Sequence, residues 1–173
     1  MPERRADVVV PRAVDWIGRQ PGRFFSWVHL FDPHSPYKPP DDLRARYPDQ
    51  PYFGEVAFVD RALGPLFDRL RARDRPTLVI VTSDHGESLG EHGERTHGYF
   101  LYDATARVPL IMRGPGLPAG TRMGGLASLV DVMPTILGAL ELEPPAGLDG
   151  QSLFGGSESR PVYLETYAPY YNF

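Results

Sequence analysis

Residues 77–98 read TLVIVTSDHGESLGEHGERTHG, and the rest of the chain is organised around them. Leu78, Val79, Ile80 and Val81 form a short apolar, mostly β-branched run, the pattern of a buried strand. The run gives way to Thr82-Ser83 and then to Asp84-His85-Gly86, where glycine lets the backbone turn sharply. Open α/β sheets place their sites at such carboxyl ends of strands. A carboxylate oxygen and a neutral imidazole nitrogen both ligate divalent cations, and adjacent on a tight turn they can share one ion. Four of the five histidines, His34, His85, His92 and His97, lie in polar loops flanked by glycine or proline. The stretch therefore predicts a metal-dependent anion site with Asp84 and His85 at its centre. His92 reads as a solvated loop residue, and Glu87 and Glu91 as outer or solvated carboxylates.

Immediately upstream, residues 52–73 carry the strongest helical periodicity. Val56, Val59, Leu63, Leu66, Phe67 and Leu70 recur at three- and four-residue steps, while Glu55, Asp60, Arg61, Asp68 and Arg69 fall mostly elsewhere. Gly64-Pro65 is the place for a bend. Before this helix, RFFSWVHLF at residues 23–31 reads as a buried strand, with His29 a core or strand-edge histidine. The order strand, helix, strand predicts a right-handed βαβ crossover, with residues 24–31 and 77–83 parallel neighbours under the helix. Between strand and helix, DPHSPYKPP at residues 32–40 places His34 on a loop that its prolines stiffen. Further out, Val8–Val10 leads into a two-turn helix that starts at Pro11 and ends at Gly18. Downstream come a short helix over 99–103, a strand over 107–112, a helix over 132–140 capped by Asp131, and a last peripheral strand over 161–165.

At 173 residues the chain has room for one domain with a real core. Its formal net charge of -4, without a basic block, argues against a nucleic-acid partner. Nineteen prolines and 18 glycines predict many loops between few regular elements. The absence of cysteine excludes disulfides and thiolate chemistry within the chain. No apolar stretch reaches transmembrane length, and no signal-type apolar core follows the first residues. The compartment is left open.

Five motifs in order, WVHLFDPHSPYKPP, YFGEVAFVDRALGPLFDRL, TLVIVTSDHGESLGEHGERTHG, RVPLIMRGPG and SLVDVMPTIL, resemble the sulfatases of the alkaline phosphatase superfamily. The resemblance runs from about residue 24 to residue 153. It implies an α/β fold, an alkaline-phosphatase-like α/β/α sandwich with a mostly parallel central sheet, and hydrolysis of sulfate esters with the help of a divalent ion, usually calcium. The two ligand types leave manganese, magnesium and zinc open. By the resemblance, Asp84 and His85 match the family's late metal-ligand pair. His34 matches a histidine that contacts the substrate sulfate and protonates the leaving group. His97 stands roughly where relatives place a sulfate-binding Lys or His. The implied substrate is a sulfated small molecule or glycan, and full-length relatives are often extracytoplasmic.

The departures from the family pattern are as informative. Its nucleophile is a formylglycine made from Cys or Ser in Cys/Ser-x-Pro-x-Arg, and neither version occurs in this sequence. The early metal-binding aspartates belong to the same N-terminal region. The chain thus reads as a single partial catalytic domain, residues 1–173, with its core over about 24–153 and a peripheral tail over 154–173. It is expected to be incomplete at its N-terminal part, without a nucleophile and inactive by itself. Two alternatives carry different chemistry. Phosphoethanolamine transferases or phosphohydrolases of the same superfamily share the SDHGESLGE…HG pattern, the transferases with a threonine nucleophile and zinc. A non-catalytic module would keep only the metal and anion pocket.

Overall fold

Ala6, Val10 and Ile17 fall on one stripe of a helix, and burying that stripe draws Val8–Val10 into helix α1, Ala6–Gly18. The helix thus begins a turn and a half before Pro11, which lies inside it on an exposed position. Branched side chains lower helix propensity only slightly, and tertiary burial overrides it here. The structure, a computed structural model, describes residues 3–154 and 160–168. These form two compact units, Met1–Arg75 and Pro76–Phe173.

In the first unit, α1 packs on α3, Pro51–Arg71, with the short α2, Asp41–Arg46, against α3 as well. Val10, Ile17 and Leu66 make one apolar cluster, joined by Phe24 and Leu30, and Ala6, Leu43 and Phe58 make another. On α3, Leu66 is buried and Val59, Leu63 and Leu70 pack against the core as the periodicity predicts, Gly54, Glu55 and Phe58 are buried as well, and Val56 departs from the expected stripe at 41% exposed. Near its N-terminal end, packing against α2 and the residues before it covers Gly54, Glu55 and Phe58 in place of Val56. The helix continues through Gly64-Pro65. At its end, Arg73 Nη1 donates to the Ile17 carbonyl at 3.0 Å and Arg69 Nη2 to that of Gly18 at 3.1 Å. Cations thereby meet the unsatisfied, partially negative C-terminus of α1.

Residues 23–31 run extended with alternating exposure, Phe24 and Leu30 against the helices and Phe25 and Trp27 outward, 70% and 83% exposed. His29 is on the exposed side. The period of two is that of a strand, but among the described residues this segment joins no ladder.

The second unit holds the one ladder among the described residues. Strand β1, Val79–Thr82, pairs antiparallel with β2, Leu110–Arg113, in the register Val79↔Arg113 to Thr82↔Leu110. Residues 24–31 and 77–83, expected as parallel neighbours, belong to different units, and among the described residues the ladder of β1 is the antiparallel one with β2. A strand's partner is chosen by backbone groups brought together in space, which periodicity does not record. The short helix lies later than expected, as α4, Asp103–Ala106. Helix α5, Val132–Ala139, stands where expected, with Pro134 buried in its first turn. Asp131 does not cap α5. It closes the preceding 3-10 turn, accepting from the Ser128 N–H at 2.8 Å and reaching the Gln151 N–H at 2.9 Å. Residues 160–167 form no strand, and much of the expected tail, 155–159 and 169–173, lies outside the described residues. No helix among the described residues is long and apolar enough to cross a membrane.

The exposure of Val56 makes a direct test. Leu66→Ala should lower the unfolding free energy by about 2–5 kcal/mol, as deletions of buried leucine do. Val56→Ala should change it by about 0.5 kcal/mol or less. Urea unfolding of the two variants should separate them in this order, and equal losses would place Val56 in the core.

Candidate functional site: two histidine loops

In the first unit, α3 delivers a buried carboxylate under the His34 loop. Glu55, 4% exposed, accepts the His34 N–H at 3.1 Å and the Lys38 N–H at 2.7 Å. The loop approaches α3 so closely that a Cβ on Gly54 would sit 2.8 Å from Pro39 Cγ. Its first residue is anchored too, as Asp32 Oδ2 accepts the Ala6 N–H at 2.7 Å. The His34 ring lies over Phe31, centroids 4.2 Å apart, and Nδ1 meets the Ser35 carbonyl at 2.6 Å. A carbonyl only accepts, so Nδ1 carries the proton and any further chemistry of the ring passes through Nε2.

In the second unit, β1 ends at Thr82 and the chain turns through Ser83, Asp84 and His85. Gly86 is required at the next position. Its N–H donates to the Thr105 carbonyl at 2.8 Å, and a Cβ would meet the Ala104 carbonyl oxygen at 2.2 Å. His85 Nδ1 donates to the Gly86 carbonyl at 2.8 Å, which turns Nε2 towards Asp84 Oδ2, 3.8 Å away. Partial burial works to raise the Asp84 carboxyl. The adjacent His85 charge, the N–H groups of Asp84 and His85 and the Ser83 hydroxyl outweigh it and hold Asp84 below the usual range. The carboxylate is thus ionised at neutral pH.

The loop beyond is held by buried polar groups. Ser88 Oγ lies 3.0 Å from the Glu91 carbonyl and 2.9 Å from that of Glu94, and the Ser88 N–H donates to Thr96 at 3.0 Å. Glu94, 6% exposed, accepts the N–H groups of Tyr99 and Phe100. Glu91 is exposed, as expected, and accepts the Leu89 N–H at 2.6 Å. These bonds bring His97 onto His85, rings stacked with centroids 3.8 Å apart. His97 Nδ1 lies 3.0 Å from Glu87 Oε1. His92 is exposed and stacks on Tyr102 instead.

Asp84, His85 and His97 therefore share one loop cluster in the second unit, and His34 has its own rigid loop in the first. Asp84 and His85 offer a carboxylate oxygen and an imidazole nitrogen 3.8 Å apart, two donor types that a divalent ion accepts. Among the described residues no group of three or more His, Asp, Glu or Cys is gathered for a metal. The sequence reading missed Glu55, which it placed on the solvated face of α3, and it did not single out Glu94. The spacing of Glu55 from Phe58 puts both on one helix stripe and was the available signal. For Glu94 no sequence signal distinguishes it from other loop acids.

The chain belongs to the sulfatase family: residues 3–142 match the family profile described as Sulfatase. It is 39% identical to human Arylsulfatase K over 118 residues, 67% of this chain and 21% of that protein. A Bacteroides thetaiotaomicron sulfatase structure, from work on metabolism of multiple glycosaminoglycans, superposes with a TM-score of 0.75 at 26% identity. The match covers 83% of this chain and 37% of that one. A second structure, solved with its substrate D-glucosamine-2-N,6-O-disulfate, gives a TM-score of 0.55 at 32% identity, covering 68% of this chain and 24% of that one. The chain thus spans about a fifth of the length of Arylsulfatase K. The likenesses bear out the alkaline-phosphatase-like α/β class, and the pairing described above is a local departure from the expected sheet.

Two substitutions test the scaffolding. Glu55→Ala strands two loop N–H groups and should cost about 1–3 kcal/mol, with Glu55→Gln, which keeps one acceptor oxygen, costing less. Denaturant unfolding and the His34 amide resonance report both. Gly86→Ala should displace the turn from Ala104 and remove the slow hydrogen exchange of the Gly86 amide. An unchanged exchange rate would show that the turn has room for a side chain.

Proposed function

We propose that the loop of Asp84, His85 and His97 in the second unit is the cation- and anion-binding part of a sulfatase active site, within a single catalytic domain whose core runs over about residues 24–153, and that His34 of the first unit keeps the role that the family resemblance implies for it. In this reading Asp84 and His85 ligate one divalent ion, His97 contacts the sulfate oxygens, and His34 contacts the sulfate and protonates the leaving oxygen through Nε2. The observation that carries it is the approach of Asp84 Oδ2 and His85 Nε2, 3.8 Å apart, with His97 stacked on His85. In a chain of the sulfatase family, such a cluster would join two cation ligands to a donor for an oxyanion.

Sulfatases generally depend on a divalent metal. The carboxylate is a hard donor suited to calcium or magnesium, and the imidazole a borderline one suited to manganese or zinc. The family resemblance favours calcium, with manganese, magnesium and zinc left open. A bound ion would supply positive charge to an ester whose oxygens gain negative charge in the transition state. Asp84 and His85 would hold it, and Glu55 would keep His34 in place through the loop backbone. The substrate class is a sulfated small molecule or glycan, supported by the glucosamine disulfate bound to one relative. The covalent step needs an activated nucleophile. The sequence contains no cysteine and no Ser-x-Pro-x-Arg, so these residues would bind and polarise an ester without cleaving it by the family's route.

Calcium titrated into the chain should shift the His85 ring resonances with a dissociation constant on the order of millimolar or weaker, because two protein ligands leave most positions to water. Asp84→Ala should abolish that response. Inorganic sulfate should shift His34 and His97, and His34→Ala should leave the calcium response unchanged. No turnover of an aryl sulfate is expected with calcium, magnesium, manganese or zinc. Turnover lost in Asp84→Ala would reveal a nucleophile inside the chain and overturn the inactive reading. A response to phosphate and none to sulfate would move the assignment to the phosphotransferase relatives.

A further inference from the structure

We infer that Glu87 is a positioning residue for His97, fixing its tautomer and ring plane and, through the stacked rings, the plane of His85. The inference deepens the sulfatase reading above and rests on it for its functional meaning.

Glu87 stands three residues beyond Asp84, and its carboxylate is turned inward, with the side chain only 7% exposed. Burying a carboxylate is costly unless donors meet it. The bond from the Ser88 N–H to the Thr96 carbonyl lays Thr96-His97 alongside Glu87-Ser88, and this brings His97 Nδ1 to 3.0 Å from Glu87 Oε1. A carboxylate accepts, so Nδ1–H donates. Nε2 is then the nitrogen that would face an anion or another ligand. The His97 ring is 32% exposed and lies within 3.8 Å of the His85 ring centroid at an interplanar angle of 29°. Rotation of His97 would therefore collide with or unstack His85, whose Nε2 is set against Asp84. A single buried acid thus constrains the orientation of two rings. Carboxylates behind functional imidazoles act in this way, and their loss typically costs about 10–100-fold in affinity or activity.

A purely structural ion pair would stabilise the loop without selecting a tautomer, so the tautomer is the readout. Long-range proton–nitrogen spectra of the complete chain, taken at alkaline pH where imidazoles are neutral, should show His97 with a protonated Nδ1 and an unprotonated Nε2. Glu87→Met keeps the bulk of the side chain and removes the acceptor, so it should move the proton to Nε2 in most molecules. Glu87→Gln retains a carbonyl acceptor and should restore the wild-type pattern. Glu87→Met should also weaken the inorganic sulfate response of His97 about 10-fold or more. A wild-type His97 protonated at Nε2 overturns the proposal without any variant, even if Glu87→Met fails to fold. So does an unchanged tautomer in a folded Glu87→Met. If the tautomer follows Glu87 but sulfate moves neither histidine, the positioning role stands and the anion-site reading fails. If sulfate moves His97 but the tautomer ignores Glu87, the reverse holds.

Discussion

Backbone N–H groups in a loop-rich chain must find acceptors, and here buried carboxylates supply many of them. Asp32 takes the Ala6 N–H, Glu55 those of His34 and Lys38, Glu94 those of Tyr99 and Phe100, and Asp131 those of Ser128 and Gln151. With 19 prolines and 18 glycines, regular helices and ladders cannot satisfy the backbone everywhere. Each buried acid acts as a small hub that ties two segments together. The cost of desolvating the carboxylate is offset by the donors it gathers, and removing it strands them. Asp131 also pairs with Arg160, so its wholly buried charge meets a cation as well as main-chain donors.

The same economy of donors orients the histidines. His34 and His85 each use Nδ1 to donate to the carbonyl of the next residue, at 2.6 and 2.8 Å. A neutral imidazole has one proton, so committing it at Nδ1 leaves Nε2 as the acceptor or ligand. His97 meets the same need with Glu87 rather than with the main chain. The functional rings are thus oriented by short-range bonds inside rigid loops. Those loops are in turn held by buried acids, Glu55 on α3 and Glu94 within the loop that follows β1.

The helical unit shows how charge and packing agree. The arginines at the end of α3 meet the last carbonyls of α1, and Arg73 also lies over the Phe24 ring, 4.9 Å from its centroid. Phe24 and Leu30 complete the apolar cluster between the helices, while Phe25 and Trp27 on the opposite side of the same segment stay exposed. One face of that segment is a core face, and the other is built like one but is uncovered.

Much was legible from residue order alone. The β-branched run 78–81, the Asp84-His85-Gly86 turn and the proline-rich His34 loop each follow from local chemistry, and five ordered motifs led to the sulfatase family that residues 3–142 match. Local rules suffice there because a turn, a strand run or a ligand pair is decided within a few residues. What tertiary structure alone decided was that at the start of α3 Glu55 is buried beneath His34 while Val56 faces outward. It also chose β2 as the antiparallel partner of β1 and brought Glu87 to His97 across ten positions. Periodicity fixes a pattern only up to a rotation about the helix axis or a choice of neighbour. Those are set by backbone groups and side chains that meet in space, far apart in the chain.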